Sequence, residues 1–399
     1  MKTGILFVFV FLLAAFVGAR SPVLLQGADF PHFYCAARML ADGHGPQLYD
    51  ADLQRQYQAR YAGRVGTLYT HPPFEAALYL SVAWLPLRYA YVAWSVLSMA
   101  FLALGASRLA KEALALWNWR LLFMAALTFV PSLISILQGQ DSLHLLLLVV
   151  LAFTALRRQR GFAAGCWLGL ALFKFQLTLP LALALALTQR KKVRSGFVKG
   201  FSLTAVVLAG VSVAISGWPV LTLYPRFLLH FKDQPLGGLV PQAMANFRGL
   251  TYLVFHSDQS PWAVAALSIL SAAALIVTLH SWKRARVESH LNPERASDYE
   301  FDLAFGNTVL FALLVSYHLN PQDVALLLLP LALLLHHAWT RTSRRLNSAN
   351  WVTLSLLAIL FLPPLHLWAL KAGVYALISL PLLALFLMNS SFARHSRGK

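Results

Sequence analysis

Acidic residues are scarce: 399 residues contain only 15 Asp and Glu, and charged residues of either sign make up 12%. Soluble domains carry about 25% charged residues, so the composition excludes a water-soluble enzyme of one or two domains. Cysteine is nearly absent as well. Cys35 and Cys166 stand alone, which excludes a disulfide framework and a cysteine-based zinc site; they fit one helix residue and one span residue. The chain lacks a P-loop, a GxSxG elbow and an HExxH motif. It also lacks a polar stretch long enough for a nucleotide-binding domain, so a nucleotide sugar handled in the cytoplasm does not fit. No repeat of 20–50 residues is visible.

Long apolar runs take their place. Hydrophobic residues make up 58%, in continuous stretches without the alternation of a membrane barrel. A crossing needs roughly 20 apolar residues, and many runs approach that. The expected class is an all-α polytopic membrane protein forming a single integral membrane domain over 1–399. The net charge of +18 does not imply nucleic acid, because the basic residues sit in short clusters between apolar runs, as the positive-inside rule produces.

Those clusters set the threading. Arg108/Lys111/Arg120, Arg157/Arg158/Arg160, Arg190/Lys191/Lys192/Arg194, Lys283/Arg284/Arg286, Arg341/Arg344/Arg345 and Arg394/Arg397/Lys399 are all expected in the cytoplasm. An even number of crossings then separates each consecutive pair. Residues 4–18 form an outward first helix that also resembles a signal peptide, with cleavage as the alternative. Residues 19–70 make a first outer loop with interfacial helices, 71–85 a short embedded or interfacial segment, and 89–107 the return. Residues 121–137 and 142–156 form a hairpin. The stretch between Arg160 and Arg190 is too short for two full spans and folds as two short helices with Lys174 and Gln176 at their tip. Spans 197–216 and 262–282 flank a second outer loop, 217–259. Spans 301–318, 322–339, 351–369 and 372–389 complete about twelve crossings, with the N-terminus cytoplasmic.

By this parity the polar residues of the apolar half face outward. Asp29, in "QGADFPHFYCAARML", precedes an amphipathic stripe of Phe30, Phe33, Tyr34, Ala37 and Leu40. It is either a helix N-cap or a general base above a membrane cavity. Asp50 and Asp52 fit simple capping of the next helix. In "YTHPPFEAALY", Pro72-Pro73 marks a helix start; His71 is an interfacial histidine or a sugar or phosphate ligand, and Glu75 is expected to pair with an arginine. "LQGQDSLH" places Gln138, Gln140, Asp141 and His144 at an outer tip, as a hydrated span end or a hydroxyl-binding rim. Lys174 either snorkels or meets a phosphate. Arg248 in "NFRGL" adds positive charge. In "SYHLNPQD", His318 is placed to donate to a phosphate or orient an acid, and Asp323 to cap its helix; together they do not make a metal site.

The ordered set "GADFPHFYCAARMLADGHGPQLYD", "YTHPPFEAALYLSVAWLPL", "LQGQDSLHLLLLVVLAF", "GFAAGCWLGLALFKFQLTLPLALAL" and "YHLNPQDVALLLLPLALLL" resembles the polyprenyl-phosphate-dependent glycosyltransferases of family 87. These are bacterial membrane enzymes of the GT-C type and include mannosyltransferases. The resemblance implies a GT-C-like helical bundle in the plasma membrane with its active site on the extracytoplasmic face. It implies a polyprenyl-phosphate-linked sugar donor, mannose by default, a glycolipid or glycan acceptor, surrounding membrane lipids, and no metal or other cofactor. Asp29 occupies the position of the catalytic acid in the first outer loop. Lys174 and His318 match the donor phosphate region, with Arg248, Gln140, Asp141, His71 and Asp323 as further substrate-binding candidates. Two positions depart from the family pattern: His71 stands where tyrosine is usual, and Asp141 where asparagine is commoner. A lipid or sugar transporter is the rival reading, since half-length helices around a lysine also occur there.

Overall fold

The computed structural model describes residues 2–114, 117–230, 240–291, 297–341 and 348–391. The basic residues Arg344, Arg345, Arg394, Arg397 and Lys399 lie outside them, as do 231–239 of the second outer loop. Among the described residues every regular element is helical and no strand occurs.

The apolar N-terminal run forms α1, Lys2–Gly27. It continues through Pro22 well beyond the expected end at residue 18, so the loop expected over 19–70 begins only after Gly27. The loop holds α2, Phe30–Ala41, and α3, Ala51–Ala62, capped by Asp50, whose carboxylate accepts the Asp52 and Leu53 amides. That capping is the role expected for Asp50. Pro72-Pro73 then starts α4, Pro73–Ala83, and α5, Leu87–Glu112, returns through the apolar layer. The run 121–137 is split. Pro131 cannot supply an amide to a continuous helix, and the chain bends 73° between α6, Trp119–Thr128, and α7, Val130–Gln138. The helix α8, Ser142–Arg157, follows and is almost wholly buried.

Glycine then sets the packing of α9, Gly161–Leu170, the 3-10 turn Ala171–Lys174, α10, Phe175–Thr188, and α11, Lys191–Ser216. A Cβ on Gly161 would lie 2.1 Å from the Val193 carbonyl oxygen, one on Gly165 2.0 Å from that of Phe197, and one on Gly169 2.7 Å from Thr204. Small residues let backbones touch in this way. The contacts advance together along both helices, so α9 and α11 run parallel. The stretch Gly161–Thr188 is long and apolar enough to cross once, yet α10 must run back for α11 to start beside α9. The chain therefore reverses at Ala171–Lys174, as expected from the charges.

The segment 217–259, expected as a second outer loop, contains α12, Val220–His230, and α13, Phe247–Phe255. Beyond it come α14, Pro261–Leu291, α15, Ser297–Val315, and, after a 3-10 turn Pro321–Leu327, α16, Leu328–Arg341. Pro363-Pro364 bends the next run by 56° into α17, Ser348–Phe361, and α18, Pro363–Lys371, and α19, Ser379–Ser391, ends it. Among the described residues, five helical stretches are long and apolar enough to cross a membrane, or up to seven if each bent pair counts as one span.

The two ends of the bundle differ. At one end α11 meets the α2–α3 loop: a Cβ on Gly45 would be 2.0 Å from the Ile215 oxygen. At the other, Arg157 of α8 lies 3.2 Å from Asp302 of α15, which also meets His337 of α16 at 3.1 Å.

Candidate active site

Asp29 sits at the head of α2 with its side chain free of any capping bond. The N-cap role is thereby excluded. Its Oδ2 instead accepts a hydrogen bond from Gln140 Nε2 at 2.7 Å, and its backbone amide donates to Gln138 Oε1 at 2.9 Å. The turn carrying both glutamines closes over α2 because Gly139 has φ +65° and no Cβ; a Cβ there would lie 2.6 Å from that of Phe30.

Behind Gln140 lies a charged cluster. Lys174 is 1% exposed, so it does not snorkel. Its ammonium donates to Gln140 Oε1 at 3.2 Å and to Asp323 Oδ1 at 2.8 Å, and lies 3.1 Å from Asp141 Oδ1. The Asp141 contact is an ion pair and not an aligned hydrogen bond. Asp323 also accepts from Ser142 Oγ at 2.8 Å and from the Asn320 amide at 3.0 Å, which caps the turn it begins.

Glu75 extends the cluster. Its expected arginine partner is replaced by His71, whose Nδ1 lies 2.9 Å from Oε2; the Glu75 side chain is fully buried and the nearest cation, Lys174, is already engaged by Asp141 and Asp323. Burial first, then the charge and hydrogen bond of Asp141, push the Glu75 carboxyl well above the usual range. Burial pushes Asp141 up too, but Lys174 and the Glu75 hydrogen bond outweigh it and hold Asp141 below its ordinary value. A neutral Glu75 donating to an ionised Asp141 satisfies both, since a carboxylate alone has no proton to donate. Burial lowers His71 to about 3 despite these acids.

On its other side Asp29 borders a polar cavity of about 120 Å³, shared with His32, Gln58, Arg64 and Thr67. Burial lowers His32 to about 4, against the opposing pull of Asp29. Arg64 spans the cavity edge, with Nη2 donating to the Leu25 and Ala28 carbonyls at 3.1 and 3.2 Å. His32, Gln58 and Arg64 escaped sequence reasoning. His32 follows Asp29 by three positions, a one-turn spacing that was available as a signal; the other two reach the site only through the loop fold.

His318 and Arg248 make no hydrogen bond to the side chains of this network, although the charges of Asp323 and Lys174 act on His318. Arg248 donates to the Tyr317 carbonyl at 3.0 Å, pairs with Asp258 and lies 4.1 Å from the Tyr317 ring centre. His318 is lowered to about 4 by burial, and its Nδ1 has no hydrogen-bond partner. Three residues before His318, at the end of α15, begins an apolar groove of about 690 Å³ lined by α10, α11, α14 and α15 and reaching from Val315 and Leu179 to Ala186. His144 stacks on Trp94 at 4.7 Å and belongs to the packing beneath the cluster. Among the described residues no three His, Cys, Asp or Glu side chains gather as a metal site.

The fold defines a polytopic helical membrane protein with a buried polar cluster at one end. The sequence model of glycosyltransferase family 87 matches residues 69–293, more than half of the chain, and the protein belongs to that family. No curated protein sequence and no solved structure matches it.

Proposed function

We propose that this glycosyltransferase moves a hexose, mannose in the first instance, from a polyprenyl-phosphate sugar to an extracytoplasmic glycolipid or glycan, with Asp29 as general base. The observation that carries this reading is the Asp29 carboxylate: it is unused by its own helix and faces the polar cavity of about 120 Å³. The acceptor hydroxyl enters there. Asp29 takes its proton as the oxygen forms a bond to the anomeric carbon, and the sugar–phosphate C–O bond breaks with its electron pair leaving on the phosphate. One base and an in-line displacement give inversion.

The donor's isoprenoid tail lies in the apolar groove beside α10 and α11, with its phosphate toward His318 and Arg248. The Lys174 charge is already balanced by Asp141 and Asp323, so Lys174, Gln140, Asp141, Asp323 and His71 act behind the reacting groups. In this reading the protein sits in the bacterial plasma membrane, as the family resemblance implies, with a cytoplasmic N-terminus, about twelve crossings and the site outside, an orientation that the distribution of basic clusters supports.

Sugar transfer in detergent-disrupted membranes tests the reading, with labelled polyprenyl-phosphate sugars and a cell-envelope acceptor extract. Wild type should form product and Asp29→Asn should lose about 10²–10⁴-fold of the rate, the usual contribution of a positioned base. Equal transfer by both sinks the assignment of Asp29. Transport that requires sealed vesicles, with no product formed, sinks the transferase reading.

A further inference from the structure

We infer that the Gln138-Gly139-Gln140 turn is a clamp that positions Asp29, and that Lys174 fixes the orientation of the clamp. This rests on Asp29 being the base. Asp29 follows Gly27-Ala28; its carbonyl accepts the His32 amide at 3.1 Å, but its side chain makes no bond to its own helix, so nothing local holds the carboxylate. The two groups that do hold it come from 109 and 111 positions away: Gln138 Oε1 on its backbone amide and Gln140 Nε2 on its carboxylate. The backbone of Gly139, between them, presses on Phe30, the residue after Asp29. Three consecutive residues thus grip the backbone, the side chain and the neighbour of one aspartate.

A glutamine amide can face either way, and here charge decides. An ammonium offers only donors and a carboxylate only acceptors. With Lys174 Nζ at 3.2 Å on Oε1, the amide NH₂ must point to Asp29; the flipped amide would set NH₂ against ammonium and oxygen against carboxylate. Lys174 cannot swing away, because Asp141 and Asp323 hold it in a closed site. Carboxylates fix the ammonium, the ammonium fixes the amide, and the amide fixes Asp29 Oδ2. Oδ1 is left for the acceptor hydroxyl. Other charged or titratable groups facing Asp29 are Arg64 and His32 in the cavity, with Asp141 and Lys174 behind the amide. Gln138 and Gln140 are positioning residues and touch no substrate.

The test is steady-state transfer by the full-length protein in detergent, with labelled polyprenyl-phosphate mannose and the cell-envelope acceptor extract. Gln140→Met, Gln140→Glu, Gln138→Met and Asp29→Asn are compared with wild type. Gln140→Met is expected to lower kcat about 100-fold through misplacement of the base, with the donor KM within about twofold. Gln140→Glu, the same size, lowers kcat as well, because a carboxylate has no proton to donate to Asp29; it carries the test if the methionine variant does not fold. Gln138→Met lowers kcat by a smaller factor, since it touches only the backbone amide. A wild-type kcat in both Gln140 variants, with Asp29→Asn inactive, overturns the clamp and leaves the base in place. Full activity of Asp29→Asn overturns the base and the clamp with it.

Discussion

Lys174 and Asp323 lie 149 positions apart and meet with Nζ 2.8 Å from Oδ1, both enclosed. The contact ties the tip of the α9–α10 hairpin to the turn that begins α16. Because Asp141 shares the same ammonium, three separate segments converge on one charge. A lysine at this depth is tolerated only because its counter-charges are built in.

Removing that charge should be costly. Lys174→Met leaves Asp141 and Asp323 with no counter-ion, and breaking a buried pair from one side costs about 3–5 kcal/mol. The expected outcome is a clear fall in the thermal midpoint of the detergent-solubilised protein. The double change Lys174→Met with Asp323→Asn should recover part of it. A single variant that melts with wild type would show that water, and not the carboxylates, compensates the lysine.

Gly139→Ala adds one carbon where two constraints coincide. The position needs φ +65°, which costs an ordinary residue about 1–2 kcal/mol, and the new Cβ would overlap the Phe30 side chain. Phe30 must shift, and Asp29 with it. Transfer should fall further than stability does, and Phe30→Leu in the alanine background should restore some of it. Loss of stability with unchanged kcat in the folded fraction would separate the turn from the base.

The sequence made the hairpin at Lys174 legible because charge flanked a stretch too short for two crossings. It also made Asp29 conspicuous, since an acid beside an aromatic interfacial helix is rare in so apolar a chain. The partners of Lys174 were not legible: Asp141 and Asp323 belong to turns on other helices, and no local pattern reports which turns meet. The same holds for the link of Glu75 to Asp141, which needs the α7–α8 turn to close over α4, whereas its His71 partner, four positions back, lay within local reach. Pro131 and Pro363 signalled bends, but hydropathy alone continued both runs as straight spans. The extension of α1 to Gly27 was hidden by Arg20 and Pro22, which end an apolar window without ending a helix.

Buried histidines set the direction of the acid response. Burial lowers His32 to about 4 and His71 to about 3, from an unfolded value near 6.5. The folded state keeps both neutral, so as pH falls below about 6.5 the unfolded chain binds protons that the folded chain does not. Stability is complete above that pH and declines toward pH 4. Glu75 has the opposite sign, since its raised carboxyl contributes at low pH and loses that contribution as pH rises. The difference between wild type and His32→Gln isolates the histidine effect. Thermal midpoints between pH 7.5 and 4.5 should fall less steeply in the variant, and parallel curves would contradict a buried neutral His32.

The apolar groove beside α10 yields a prediction about the donor. A lipid tail moving from bilayer to groove leaves one apolar medium for another, so it gains packing and little hydrophobic free energy. Narrowing the groove should therefore have a modest, length-dependent effect. Ala272→Trp places an indole among Leu179, Leu183 and Phe201, in a groove that shares no lining residue with the Asp29 cavity. The KM for a long-chain polyprenyl-phosphate sugar is expected to rise about tenfold, equivalent to 1.4 kcal/mol, with kcat unchanged. A donor with a short tail that ends above the groove should keep its wild-type KM. Equal rises for both donors would place the tail elsewhere, and a fall in kcat alone would indicate that the indole disturbs the site through α14.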